Sequence, residues 1–381
     1  MNRIIEKYPV LLSFKNLTLF YCGVVVLATI HRLWLFDDTF NNFDIFRFSF
    51  LNLVEGKDLY ALHPDQYFDL YKYSPTFAML MAPFYLLPRT IGVFVFNLLN
   101  ALLPLWAVNR LAISSKAKSF FLLFIAIELL SSIQNAQSNG IIAGLIIGAF
   151  SAMERKQVVF AALLICLGFY IKLFAIAAGI IFLFYDQKPK FLLACIFWGI
   201  LLGVLPLLLT GYDGIIFQYK SWLHLLANDP AHELNFSIMT LTQRWFNFAA
   251  SDSWYLIPGG ILLLIPILRK DQWSNFSFRL LYLALILVWV VIFNHKAESP
   301  TYVIAVSGVA FWAMMEEKKS LRIFILWFVF VFTILSPTDL FPSYLRIHLW
   351  QPYCLKALPC IVVWVLMTWA LIRKNFPARV I

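Results

Sequence analysis

The run IFILWFVFVFTIL, residues 323–335, contains no charge, no proline and no glycine, and its reading decides the fold. A strand of a membrane barrel alternates lipid-facing and lumen-facing side chains, whereas here Ile, Phe, Leu, Trp and Val follow one another without alternation. A segment that is apolar on every side fits a helix held in a bilayer or deep in a large core. ILLLIPIL, residues 261–268, reads the same way. Working outward, apolar windows of roughly 20 residues, enough to cross hydrocarbon, recur from residue 17 to residue 372 with short polar breaks. The composition agrees, since only 13% of the residues are charged and mean hydropathy is +0.80, far too apolar for a water-soluble domain. The expected fold is an all-α polytopic membrane protein with about twelve transmembrane helices, forming one domain over residues 1–381 without internal repeats or low-complexity segments.

The net charge of +10 raises the question of a nucleic-acid partner, but the basic residues are scattered in ones to threes between apolar segments, so none is expected. Their placement reads as topology. Eighteen of the thirty Lys and Arg fall in the N-terminal tail, in residues 110–118, 154–156, 186–190, 269–271 and 316–322, and in the tail from Arg373. By the positive-inside rule these are cytoplasmic, which puts both termini inside a multi-pass protein of the cell inner membrane. The alternation requires two short crossings around Lys172, filling residues 158–185. Cys22, Cys166, Cys195, Cys354 and Cys360 all lie in apolar segments and read as packing residues rather than a disulfide framework. The first apolar stretch, residues 17–36, lacks a small-residue cleavage site and reads as a retained anchor.

Loop size carries the functional information. The basic connections are short, while residues 37–74 and 211–253, on the opposite side, are long and rich in aromatics, amides and charges, as a surface handling a polar substrate beside lipid would be. Residues 294–300 and 336–351 complete that face. In the first long loop Asp37, Asp38 and Asp44 follow the first helix closely. IFRFSFLNLV, residues 45–54, can form a short amphipathic helix with Phe46, Phe50 and Leu53 on one face and Asp44, Arg47 and Asn52 elsewhere. Solvated loop charge is the plain alternative for all three acids. Lys172 interrupts an apolar stretch, where a charge costs about 3 kcal/mol unless it faces a cavity or a partner; its structural alternative is an ion pair with Glu128. Arg244 reads equally well as a surface arginine, and His295, Lys296 and Glu298 as a solvated helix end. Arg89 and Arg279 read as snorkelling residues.

The succession DIFRF (44–48), EGKDLY (55–60) and YKYSPTFAMLMAPF (71–84) resembles the opening of glycosyltransferase family 87, the polyprenol-phosphate-mannose-dependent mannosyltransferases of the GT-C fold. Ala136, Gln137, Ser138 and Asn139 resemble the family's Gly-Gln-x-Asn element, residues 170–173 its intramembrane lysine, and Asn235, Ser237 and Arg244 its Asn-x-Ser and following arginine. The chain departs from the pattern at Ala136, where glycine is usual, at Ser74, where the family often has a second proline, and at Phe174 and Ala175, where a proline commonly follows the lysine.

The resemblance implies a GT-C-type bundle that moves a hexosyl residue, mannose in the family, from a polyprenyl-phosphate-linked donor to a glycolipid or glycan acceptor in the cell envelope, with inversion. It implies Asp44 as general base and an active site on the non-cytoplasmic side. The residues offered to the donor phosphate and substrates are Arg47, Tyr73, Gln137, Asn139, Lys172, Asn235, Arg244, His295 and Lys296. No cofactor and no obligatory metal is expected; a divalent ion held by Asp37, Asp38 and Asp44 is the lesser reading. No nucleotide-binding glycine loop, Walker element, zinc spacing or nucleophile elbow is present. A transporter or flippase of lipid-linked saccharides and a non-catalytic envelope-assembly subunit are the rival functions. The topology predicts that Lys116→Cys stays protected from a membrane-impermeant thiol reagent while Asn228→Cys reacts; labelling of Lys116→Cys from outside the cell would overturn it.

Overall fold

The computed structural model describes residues 12–35, 40–229, 235–248 and 250–376. Asp37 and Asp38 lie outside the described residues, as do both chain ends. Among the described residues all regular structure is helical. The principal helices are α1 (Phe14–Leu35), α2 (Asn41–Val54), α3 (Arg89–Asn109), α4 (Ser115–Gln134), α5 (Asn139–Glu154), α6 (Val158–Ile171), α7 (Lys188–Gly203), α8 (Leu207–Asn228), α9 (Ile238–Phe246), α10 (Ser253–Leu264), α11 (Phe276–Ile292), α12 (Tyr302–Met315), α13 (Lys319–Val329) and α14 (Leu358–Arg373). The run that opened the sequence reading is α13 followed by a π-helical stretch, Phe330–Leu335.

Helices α5, α11 and α12 form the centre, each buried over almost its whole length. Small residues let them approach. Gly140, Gly144 and Gly148 recur every fourth residue along one face of α5, where a Cβ would lie 2.4 Å from the Asn100 carbonyl oxygen, 2.7 Å from Leu103 and 2.6 Å from the Trp106 ring. The α3 and α5 backbones therefore touch, the packing by which helices associate where lipid leaves no hydrophobic drive between them. Outside this centre the helices present apolar side chains outward. Leu27, Leu193, Ile200, Ile257, Trp327 and Trp369 are all exposed, as they must be if hydrocarbon is the solvent.

Among the described residues three helices are long and apolar enough to cross a membrane by length and composition, Phe14–Trp34, Arg89–Asn109 and Ser115–Gln134, and the pair Lys188–Gly203 and Leu207–Asn228 passes jointly across a 92° bend. The other apolar helices have 10–17 residues, so the expected twelve crossings do not follow from helix lengths. Around Lys172 the chain does fold back on itself. Gly168 lies against Ala175 and Gly179 against Ile165, and the Tyr185 hydroxyl returns to Glu154 at the start of the hairpin. The returning arm, Leu173–Phe184, is a 3₁₀-helix. At about 2 Å per residue such a helix covers more depth per residue than an α-helix.

The segment 211–253, expected as a long loop, is largely helical. Gly211, at φ 66°, breaks α8, and α9 follows. A left-handed turn of this kind is where glycine costs least. Polar contacts segregate to the two ends of the bundle. The basic connections meet at one end, where Arg110 bonds Gln157 at 2.5 Å, Arg155 bonds the Arg110 carbonyl at 2.8 Å, and Arg279 grips Glu154 at 2.6 and 2.8 Å. Arg279 is thus paired and does not snorkel. The long connections meet at the opposite end.

One ion pair is sealed inside. Lys356 Nζ lies 2.6 Å from Glu128 Oε1 and donates to the Thr333 carbonyl at 2.9 Å, with both charged side chains about fully buried. Glu128 is therefore not the partner of Lys172, as the structural alternative had it; the residue that neutralises it lies far along the chain. Removing one partner of a buried pair leaves an uncompensated charge, so Lys356→Met should cost about 3–5 kcal/mol. The double change Glu128→Leu with Lys356→Met should restore most of that. Unfolding of the purified variants checks both, and a single variant as stable as the parent would show the pair to be dispensable.

Candidate active site

The turn between α4 and α5 carries Ala136, Gln137, Ser138 and Asn139. Asn100, on α3, clamps it from below, donating to the Gln137 carbonyl at 2.5 Å and accepting from the Ile141 N–H at 2.9 Å. Ala136 stands at φ 44°, in the left-handed region that glycine enters freely and alanine only at a cost of about 1–2 kcal/mol. From this turn a directed chain of hydrogen bonds crosses the site. Lys172 Nζ donates to Asn139 Oδ1 at 2.7 Å, Asn139 Nδ2 to Gln137 Oε1 at 2.6 Å, and Gln137 Nε2 to Glu298 Oε2 at 2.5 Å. Two amides thereby join an ammonium to a carboxylate, each orienting the next.

The YKYSP segment locks onto the Lys172 hairpin. Ser74 caps the short helix Pro75–Leu80, accepting from the Phe77 N–H at 3.1 Å, while its hydroxyl donates to the Tyr170 carbonyl at 2.5 Å. A second proline at 74 could do neither. Tyr71 and Tyr60 donate to the carbonyls of Ser74 and Tyr73. This presents the Tyr73 ring to Lys172, 5.9 Å from its Nζ, a cation–π contact. The Ala175 N–H bonds the Lys172 carbonyl at 2.9 Å, a donor that a proline there would lack.

Asp44 sits on α2, the short helix expected after the first apolar segment. The helix buries Phe43, Asp44, Ile45, Phe46, Ser49, Asn52 and Leu53. Asp44 and Asn52 thus lie on the buried side, and Phe50, expected there, is only half-buried. The reason is a partner for each polar group. Asn52 exchanges hydrogen bonds with Gln66 at 2.8 and 3.1 Å, and both oxygens of Asp44 are held by Arg89, at 2.8 Å from Nε and 2.6 Å from Nη2. Arg89 is thus an ion-pair partner, not a snorkelling residue. Burial raises the Asp44 pKa above the ordinary carboxylate value, against the opposing pull of Arg89.

Two cavities open at this end. The first, about 440 Å³, is lined by the polar side chains of Lys72, Tyr73, Gln137, Lys172, His295, Lys296 and Glu298 together with the apolar ones of Phe46, Ile171, Leu173, Phe174, Trp222 and Leu226. Asp229 clasps two of its cations, Lys296 at 2.6 Å and Lys72 at 3.3 Å. Burial would raise the Asp229 carboxyl, but the two ammoniums outweigh it and hold the pKa below the usual range. His295 Nδ1 lies 2.6 Å from Asp252. The second cavity, about 650 Å³, runs past Ser131, Asn135, Ser299, Ser336, Trp350 and Gln351, and Asn42, Asp69 and Glu298 line both.

Of the residues singled out in the sequence, Tyr73, Gln137, Lys172, His295 and Lys296 thus share one cavity, with Asn139 bonded to it from behind. Asp44, Arg47, Asn235 and Arg244 line neither cavity. Arg47 lies over the Tyr85 ring at 5.3 Å. Asn235 accepts from Ser237 at 2.9 Å beside the N-terminus of α9, and Arg244 donates to the carbonyls of Gln351 and Pro352. Both brace the wall: Phe236, between Asn235 and Ser237, bonds the Ala297 carbonyl at 2.8 Å, next to Glu298. Sequence reasoning passed over Glu298, Lys72, Asp69 and Asp229. Glu298 had a signal in its clustering with His295 and Lys296, and Lys72 in its place between Tyr71 and Tyr73; Asp229 had none. Among the described residues no three His, Cys, Asp or Glu side chains group as a metal site.

A model of glycosyltransferase family 87 matches residues 71–337, and the chain belongs to that family. No curated protein matches it. The matched segment contains the hydrogen-bonded chain from Lys172 to Glu298 and most of both cavities; Asp44 and α2 precede it. The left-handed backbone at Ala136 gives the family's glycine a physical reason, and Asn100 shows what holds the turn where this chain has alanine. Asn100→Ala would leave the buried Ile141 N–H without its acceptor and should cost about 1–3 kcal/mol. Thermal unfolding measures this, and unchanged stability would mean that the turn holds without its clamp.

Proposed function

We propose that this glycosyltransferase moves a hexosyl residue, mannose by family resemblance, from a polyprenyl-phosphate-linked donor to an envelope glycolipid or glycan, working at the non-cytoplasmic face of the inner membrane with both termini and the basic connections inside. Twelve crossings, two of them the Lys172 hairpin, give the alternation that the basic connections require. The observation that carries the reading is the mixed lining of the first cavity. A lipid-linked sugar phosphate needs an apolar surface for its isoprenoid end and cations for its phosphate, and Lys172, Lys296 and Lys72 line the same space as Phe46, Phe174 and Leu226.

In the reaction the acceptor oxygen forms a bond to the anomeric carbon as the bond from that carbon to the phosphate oxygen breaks. The bonding pair leaves with the phosphate, stabilised by Lys172 and Lys296, and the acceptor proton passes to a carboxylate. Displacement from the side opposite the leaving group inverts the centre. The step itself calls for no cofactor from this chain. Resemblance gives the proton to Asp44, which must first part from Arg89 to receive it. One observation favours another carboxylate: Glu298 and Asp69 line both cavities, where donor and acceptor would meet.

Transfer assays with purified protein and polyprenyl-phosphate hexoses test both levels. Lys172→Met should raise the donor KM more than the acceptor KM. Arg244→Met should do the same only if its guanidinium leaves the Gln351 and Pro352 carbonyls for the phosphate. The carboxylate that serves as base is the one whose amide variant, Asp44→Asn or Glu298→Gln, binds donor normally and loses about 100- to 10,000-fold in turnover. Near-native transfer by Asp44→Asn would remove Asp44 from that role. If the parent protein transfers none of these sugars but moves a lipid-linked saccharide across proteoliposomes, the flippase reading replaces this one.

A further inference from the structure

On the proposed reading the donor takes the first cavity, and the second is lined differently. It carries no lysine cluster: its two cations are each paired with a carboxylate, Lys356 with Glu128 at 2.6 Å and Arg346 with Asp339 at 3.2 Å. What remains is two carboxylates, Asp69 and Glu298, which disfavour an anion, and a neutral, directional set: the hydroxyls of Ser131, Ser299 and Ser336, the amides of Asn135 and Gln351, and the indole of Trp350. Two of these groups lack what burial demands. Ser299 Oγ and Trp350 Nε1 are buried polar atoms with no hydrogen-bond partner among the described residues, although such groups cost free energy until satisfied. The Trp350 ring packs against Phe332 and Phe341, at 4.9 and 4.5 Å between centroids, which restricts how its indole can turn at the cavity wall. A space of about 650 Å³ lies within the range of small-molecule sites.

We propose that this cavity is the acceptor site, that it takes the hydroxyl groups of a neutral pyranose rather than an anionic headgroup, and that Glu298, at the boundary with the first cavity, hydrogen-bonds the attacking hydroxyl. Ser299 and Trp350 supply the bonds that register the ring. Glu298 is held for this by Gln137, at 2.5 Å, and through the amide chain by Lys172, so the group that meets the acceptor is oriented by the residues that meet the donor. The term acceptor rests on the transferase reading; the saccharide site does not.

The test uses the full chain in lipid nanodiscs free of glycoside detergent, with a diazirine-bearing alkyl hexopyranoside as photoprobe. Crosslinked peptides should fall in residues 131–135, 299–301 and 336–351. Ser299→Val and Trp350→Leu should each reduce that labelling about fivefold, the worth of one hydrogen bond, while binding of polyprenyl phosphate, which also reports folding, is unchanged. Glu298→Gln should raise the KM of a transferred acceptor more than the donor KM. Labelling confined to the surroundings of Lys172 and His295, or unaffected by both variants, overturns the proposal. Labelling as expected in a protein that transfers no sugar keeps the saccharide site and refutes the transferase reading instead.

Discussion

Hydrocarbon forms no hydrogen bonds, so a charged or strongly polar side chain carried among apolar helices is costly unless it finds a partner within the protein. Those partners decide how the helices meet. Glu128 on α4 is neutralised by Lys356, 228 residues away, and Gln137 at the start of α5 bonds Glu298, 161 residues away. Each bond closes a long stretch of chain, and breaking a buried pair costs several kcal/mol, more than any one apolar contact between neighbouring helices supplies. The apolar segments make the structure helical. The few polar residues select one arrangement of the helices.

Packing and chemistry are joined at α5. The helix begins at Asn139 with the residues that connect Lys172 to Glu298 and continues with the glycines that bring it against α3. Asn100 belongs to both arrangements. Its carbonyl fills the space that Gly140 leaves empty, and its side chain clamps the turn that presents Gln137. A side chain at position 140 would push Asn100 away and loosen Gln137 with it. A residue that looks like packing therefore sets the position of a group in the site. Since amide chains orient charged groups only while each link is close to ideal, a tightly packed helix pair is the platform such a site requires.

What the sequence revealed follows from which interactions are local. Apolar runs such as residues 323–335 show their helical state without reference to the rest of the chain, and the alternation of basic connections called for a reversal near Lys172, where Gly168 lies against Ala175 and Gly179 against Ile165. The cluster His295–Lys296 and the Gln137–Asn139 element likewise pointed to the residues now found around one cavity. Partnerships were not legible. A single sequence does not say that Glu128 belongs to Lys356 rather than Lys172, or that Arg89 holds Asp44 instead of reaching for the interface. The faces of α2 were misjudged for the same reason. Asp44 and Asn52 are polar, and the period of the helix alone sends them to solvent, but Arg89 and Gln66 make their burial affordable. Residues 211–253 read as a loop because of their polarity, yet a helix lying along an interface is polar on one side and carries the same composition.

The division of charge between the two cavities bears on the stereochemistry proposed for the reaction. The first cavity gathers Lys72, Lys172 and Lys296, of which Lys72 and Lys296 share Asp229 and Lys172 bonds an amide oxygen, while each of the two cations of the other space is paired with a carboxylate of its own. On the proposed reading a nucleophile and a leaving group therefore approach a shared boundary from different spaces, the relation that in-line displacement needs and that a single undivided pocket would not impose. The same boundary carries Asp69 and Glu298. On the proposed reading a carboxylate there would repel the donor phosphate from the acceptor space while accepting a hydrogen bond from a neutral hydroxyl. Negative charge at the boundary would then act on selectivity as well as on proton transfer, because it would disfavour the wrong occupant of the second cavity and help to orient the right one.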